Sequence, residues 1–127
     1  MKNGRRAGSM AVGLLAAASL FAHHSIAPYD LVHGTILDGV VTGFQWENPH
    51  AHVLLDIASE NVVEHWTIEL GSPSQLLHLG WDKDILKNGD RVMVTGGRAK
   101  NGSFSLRAVV VQLSDGRKLA ALPPPET

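Results

Sequence analysis

Residues 62–80, VVEHWTIELGSPSQLLHLG, contain the change of period that decides the fold. From Val62 to Leu70 the residues alternate, with Trp66, Ile68 and Leu70 on one side. This is the two-residue period of a half-buried strand. Gly71-Ser72-Pro73 then breaks the pattern. Ser72 suits an N-cap, and Pro73 suits the first helical position, where its missing N–H has no intrahelical partner to lose. Leu76, Leu77 and Leu79 supply the buried side of a short helix, and Gly80 ends it.

Upstream, His50 to Ile57 alternates with Val53, Leu55 and Ile57 on one face, and Ala58 to Asn61 reads as a polar turn. Before it, Thr35 to Trp46 is a long strand rich in β-branched and aromatic residues. Gly39 and Gly43 inside it predict a bulge or sharp coil. Asn48-Pro49 is a turn signal. Downstream, Arg91 to Ala99 and Phe104 to Leu113 read as two strands joined at Asn101-Gly102, a strong hairpin signal. Trp81 is expected to plug one end of the core, His78 to be partly buried in the helix, and His33 to have no visible partner. The order strand, strand, strand, helix, strand, strand predicts a mainly β domain: the element order and glycine-bent first strand favour a small five-stranded OB-like Greek-key barrel, with one short helix between strands three and four, over the alternative of an open antiparallel sheet with one helix.

The chain begins with Lys2, Arg5 and Arg6, followed by an alanine-rich apolar run from Ala7 to Ala22. This is the shape of a cleaved secretory signal peptide and predicts a periplasmic or secreted protein. The run is too short and small in side chains for stable membrane insertion. The expected layout is a signal peptide at 1–22, an extended arm at 23–34, the β domain at 35–119 and a disordered tail at 120–127. Cleavage removes three of the 11 basic residues and none of the 12 acidic ones. The acidic mature chain argues against nucleic acid as a partner. There is no cysteine, hence no disulfide and no lipid attachment through one.

The candidate chemistry lies in histidines. A cut after Ala22 leaves His23-His24-Ser25 at the terminus, where the free amine and the His23 imidazole form a chelate. A cut one residue earlier makes His24-preceding His23 part of Ala-His-His, with His24 third from the amine, an arrangement that also binds copper(II). A cut after Ala18 leaves both histidines internal. Copper(II) favours tetragonal nitrogen sites and tops the affinity order, so copper comes first and zinc second. His50 and His52 form a His-x-His pair, which on a strand projects from one face. Pairing Ile57 with Val62 would set His50 opposite Glu69, His52 opposite Thr67 and Leu54 opposite His65 on the outer face. Glu69 would then be a third ligand or would orient the His50 ring. Trp46, Asn48, His65 and Thr67 complete the candidate ligand face.

Taken together, His23-His24-Ser25, Trp46-Glu47-Asn48-Pro49-His50, Glu69-Leu70-Gly71-Ser72-Pro73, Gly80-Trp81 and Asn88-Gly89-Asp90 resemble a family of small secreted bacterial proteins of unknown function. The resemblance spans nearly the whole mature chain. It implies a periplasmic, OB-like domain without catalysis, and it supplies no substrate. His52 departs from the pattern, where an aromatic or aliphatic residue is expected as often. The expected function is an exported binding module for a transition metal, a small molecule or a periplasmic protein. The alternative is a structural or partner-binding accessory domain of an exported enzyme system. No nucleophile elbow, phosphate loop or carboxylate-pair spacing points to an enzyme.

Overall fold

The computed structural model describes residues 26–123. Six strands and one short helix follow one another: β1 (Tyr29–Gln45), β2 (His52–Ser59), β3 (Val62–Glu69), α1 (Pro73–His78), β4 (Arg91–Ala99), β5 (Ser105–Gln112) and β6 (Lys118–Ala120). The sheet runs β3-β2-β1-β4-β5-β6, and β3 also pairs with β5. That last pairing is parallel and short, joining Thr67 to Ser105, Ile68 to Leu106 and Glu69 to Arg107. The other pairings are antiparallel. The domain is therefore mainly β, with the helix between the third and fourth strands as expected.

The alternating apolar sets meet inside. Val41, Val53, Leu55, Ile68, Leu70, Leu76, Trp81, Val94, Leu106 and Val111 are nearly or fully buried. The Trp81 indole also donates from Nε1 to the Ala120 carbonyl at 2.8 Å, so its polar edge is satisfied inside the core. Helix α1 starts where the sequence predicts. The Ser72 side chain accepts from the Gln75 amide, the Gln75 side chain reaches back to the Ser72 amide, and Pro73 occupies the first turn. Only Leu76 of the helix is fully buried. Leu77 is exposed, contrary to expectation, because a six-residue helix presents too narrow an apolar stripe to bury consecutive positions.

The expected strand count, strand boundaries and register need correction. A sixth strand follows the Asp115-Gly116 turn, and Ala121 beyond it is buried, so the ordered domain runs past residue 119. Strand β1 begins at Tyr29, which pairs with Ala99, and so takes in part of the expected arm. The β2–β3 turn uses only Glu60 and Asn61, with Glu60 at φ 53°. That shorter turn pairs Ser59 with Val62, Leu54 with Thr67 and His52 with Glu69, two residues away from the expected register. The faces are unchanged, because a shift of two preserves the side-chain alternation. The glycine-rich first strand does carry an irregularity between Val41 and Gly43. Among the described residues no helix is long and apolar enough to cross a membrane.

Candidate functional site

The outer face of β2 and β3 carries the polar residues, because their neighbours Val53, Leu55, Trp66 and Ile68 fill the core. At one end of this face two backbone bonds continue beyond the strands in a bulge. The Leu70 amide donates to Ala51 O at 2.9 Å, and the Ala51 amide donates to Gly71 O at 3.0 Å. Leu70 and Gly71 thus both bond to Ala51, and Glu69, which pairs with His52, is the diagonal neighbour of His50. The diagonal is within side-chain reach. His50 Nδ1 lies 2.5 Å from Glu69 Oε1. An ionised carboxylate only accepts, so Nδ1 is the donor of this bond, and in the neutral ring that leaves Nε2 with a lone pair. Both side chains are largely covered, at 26% and 14% exposure, which strengthens their interaction relative to a surface pair.

His52 lies on the same face, between Gln45 of β1 and Glu69 of β3 in the ladder. His65 is separate. Its Nδ1 lies 2.6 Å from Asp56 Oδ1, directly across the β2–β3 pair. His65 and Glu69 are four residues apart on β3, about 13 Å along a strand. The expected stripe of three histidines thus divides into two histidine–carboxylate pairs, with Leu54 and exposed Thr67 between them. Trp46 is half-buried and packs edge-on to Phe44 at 5.8 Å. Asn48 is exposed, and its bond to Pro49 is cis. His23 and His24 lie outside the described residues. Among the described residues no three His, Asp or Glu side chains converge to hold a metal ion, so His50, His52 and Glu69 do not form a complete site by themselves.

Two residues absent from the sequence-based site join it here. Arg107 follows from the parallel β3–β5 pairing, which sets it beside Glu69. Leu106 and Ala108 are core residues, so Arg107 points to the outer face, yet it is only 4% exposed. Its Nη1 donates to Leu70 O at 2.6 Å, while its Nε has no partner among the described residues. Burial pulls its pKa down, and the charges of Glu69 and Tyr29 oppose that pull. Tyr29, at the start of β1, has its hydroxyl pushed above the ordinary range, first by burial. Glu69 pushes in the same direction, while Ser105 and Arg107 oppose it. A lone cation inside the apolar run from Phe104 to Leu113 was the available sequence signal for Arg107. Tyr29 had none.

The remaining histidines have local roles. His33 does have a partner: its ring Nδ1 lies 2.9 Å from Asp30 Oδ2. The Asp30 carboxyl is held below its ordinary range, chiefly by the His33 amide and then by the ring. His78 is exposed rather than partly buried, and its Nδ1 lies 2.8 Å from Ser74 O one turn back. Beside the β3–β5 joint, the Arg98 guanidinium lies over Trp66 at 5.0 Å and Phe104 at 5.6 Å. Arg98 also donates to the Gly102 carbonyl at 3.0 Å, which pins the β4–β5 hairpin.

No curated protein matches the chain in sequence. A family model does match it over residues 11–107, which includes Tyr29, His50, Glu69 and Arg107. The chain belongs to this family, described as "Family of unknown function (DUF6152)".

Proposed function

We propose that this is an exported, OB-like binding module whose ligand face is the end of the sheet around His50 and Glu69. The OB-like reading is supported by the closed circuit of pairings β1-β2-β3-β5-β4 and by a helix lying between β3 and β4. Export rests on the signal-like residues 1–22.

The ligand we favour is a copper ion, with zinc second. The observation that carries this reading is the His50–Glu69 pair. A ring fixed through Nδ1 by a carboxylate presents Nε2 outward, as metal-ligating histidines do. His52 is on the same face. The further nitrogen ligands would come from His23 and His24. Tyr29 is anchored beside Glu69, and the five residue-to-residue steps from it back to His24 span at most about 17 Å.

The test is native mass spectrometry of the exported protein with copper(II). The expected result is one retained ion, lost in His23→Ala and bound more weakly in His50→Ala. No retained copper in the parent protein overturns the metal reading.

A second reading, a partner-binding accessory domain, draws on the outer face of the other strands. There Ile36 and Met93 are exposed, and with Val110 they line a shallow depression across β1, β4 and β5. Co-purification of a periplasmic protein, lost in Ile36→Glu, would favour it.

A further inference from the structure

We infer that Arg107 is a positioning residue for the His50–Glu69 pair, acting through the Leu70 carbonyl. The inference deepens the proposed role of His50 and rests on it. Glu69 is the last residue of β3, and its carboxylate reaches His50 only if the chain leaves the strand in one particular way. Three hydrogen bonds fix that exit. Leu70 and Ala51 are joined through the Leu70 amide, Ala51 and Gly71 through the Ala51 amide, and the Leu70 carbonyl accepts from Arg107 Nη1. The first two bonds set the separation of the segments bearing His50 and Glu69. The third sets the rotation of the peptide immediately after Glu69.

Arg107 suits this task because it is itself immobile. Its backbone is paired on both sides, to Glu69 in β3 and to Gly97 in β4. Gly97 and Gly96 keep that stretch free of side chains where the Asp30 and Arg107 carbonyls pass close by. Its guanidinium is buried and always charged, so it cannot relax into water. Nε is without a partner among the described residues, which leaves the Leu70 carbonyl as the acceptor that orients the group. A buried cation is costly unless paired.

The experiment reads the tautomer of His50 in metal-free protein, from the ring nitrogen-15 shifts at about pH 8, where an ordinary histidine is neutral. The parent should show His50 predominantly protonated at Nδ1. Arg107→Met should shift the ring toward the Nε2-protonated form favoured by an unconstrained imidazole, with His65 unchanged. Arg107→Lys, which keeps a charged donor, should restore much of the parent signature. A parent-like His50 in folded Arg107→Met overturns the proposal. Failure of both variants to fold also overturns it, by assigning Arg107 to the fold alone. Because the readout contains no metal, a protein that fails to bind copper but shows the tautomer shift rejects the metal reading and keeps this one.

Discussion

His50 and Glu69 are joined side chain to side chain at 2.5 Å although the ladder places His52, not His50, across from Glu69. The link is diagonal and depends on two side chains reaching along the face. It is therefore sensitive to the carboxylate itself. Glu69→Gln keeps the shape and removes the charge, so copper should bind about 10-fold to 100-fold more weakly, the range for losing a partner that orients a ligating histidine. His65→Ala, which disrupts the separate Asp56 pair, should leave copper binding unchanged. Isothermal titration of the three proteins checks this. Equal affinity in parent and Glu69→Gln removes the orienting role.

Tyr29 is the single tyrosine of the chain, so its ionisation can be read directly by ultraviolet absorbance. Burial, aided by the Glu69 charge, favours the neutral hydroxyl in the folded protein. The midpoint should therefore lie above about 10, the value of an unperturbed tyrosine. The sign for stability follows. The folded state holds this proton more tightly than the unfolded state, so the contribution is complete below about pH 10 and is lost as pH rises through the folded value. Tyr29→Phe should remove that part of the alkaline decline in melting temperature. A midpoint at or below the ordinary value contradicts the burial of the hydroxyl.

Gly96 and Gly34 both lie on the β1–β4 pairing but face different surroundings. A Cβ at Gly96 would run into the Arg107 carbonyl, which is backbone and cannot move aside, whereas a Cβ at Gly34 meets nothing within 4 Å. Gly96→Ala should cost about 4 kcal/mol or prevent folding, while Gly34→Ala should stay within about 0.5 kcal/mol of the parent. Urea midpoints compare the two. Similar midpoints would mean that β5 lies further from β4 than described.

Ser72 caps helix α1, and Leu76 is that helix's only fully buried residue. Ser72→Ala removes the acceptor for the Gln75 amide and should lower stability by about 1 kcal/mol. Ser72→Asp keeps an acceptor there and should restore most of it. Thermal unfolding followed by circular dichroism separates the three proteins.

The stretch 62–80 was legible because alternation and capping are local: Trp66, Ile68, Ser72 and Pro73 each act within a few residues. The β2–β3 register was not, and the reason is physical. A strand has a period of two, so a slip of two residues leaves every apolar side chain on its own face. Hydrophobic pattern rejects a slip of one but cannot detect a slip of two. Only the length of the turn distinguishes them, and Glu60 at positive φ is an unusual residue for a tight turn. Glu69 and His50 were found because a diagonal contact survives such a slip. Arg107 escaped because it reaches the site by a pairing between strands separated by a helix and another strand, and Tyr29 because it enters from the far end of the chain.

Both ends of strand β1 come near Glu69. Tyr29 at one end presses on the carboxylate, and Gln45 at the other is one strand removed from it, across His52. The circuit they belong to is fastened between β3 and β5 by three residue pairs, and Glu69–Arg107 is the last of them. The carboxylate therefore works as the buckle of a belt. Whatever grips His50 and Glu69 also tightens this three-pair joint, so occupancy should be registered as slower hydrogen exchange along Thr67–Glu69 and, across the joint, Ser105–Arg107.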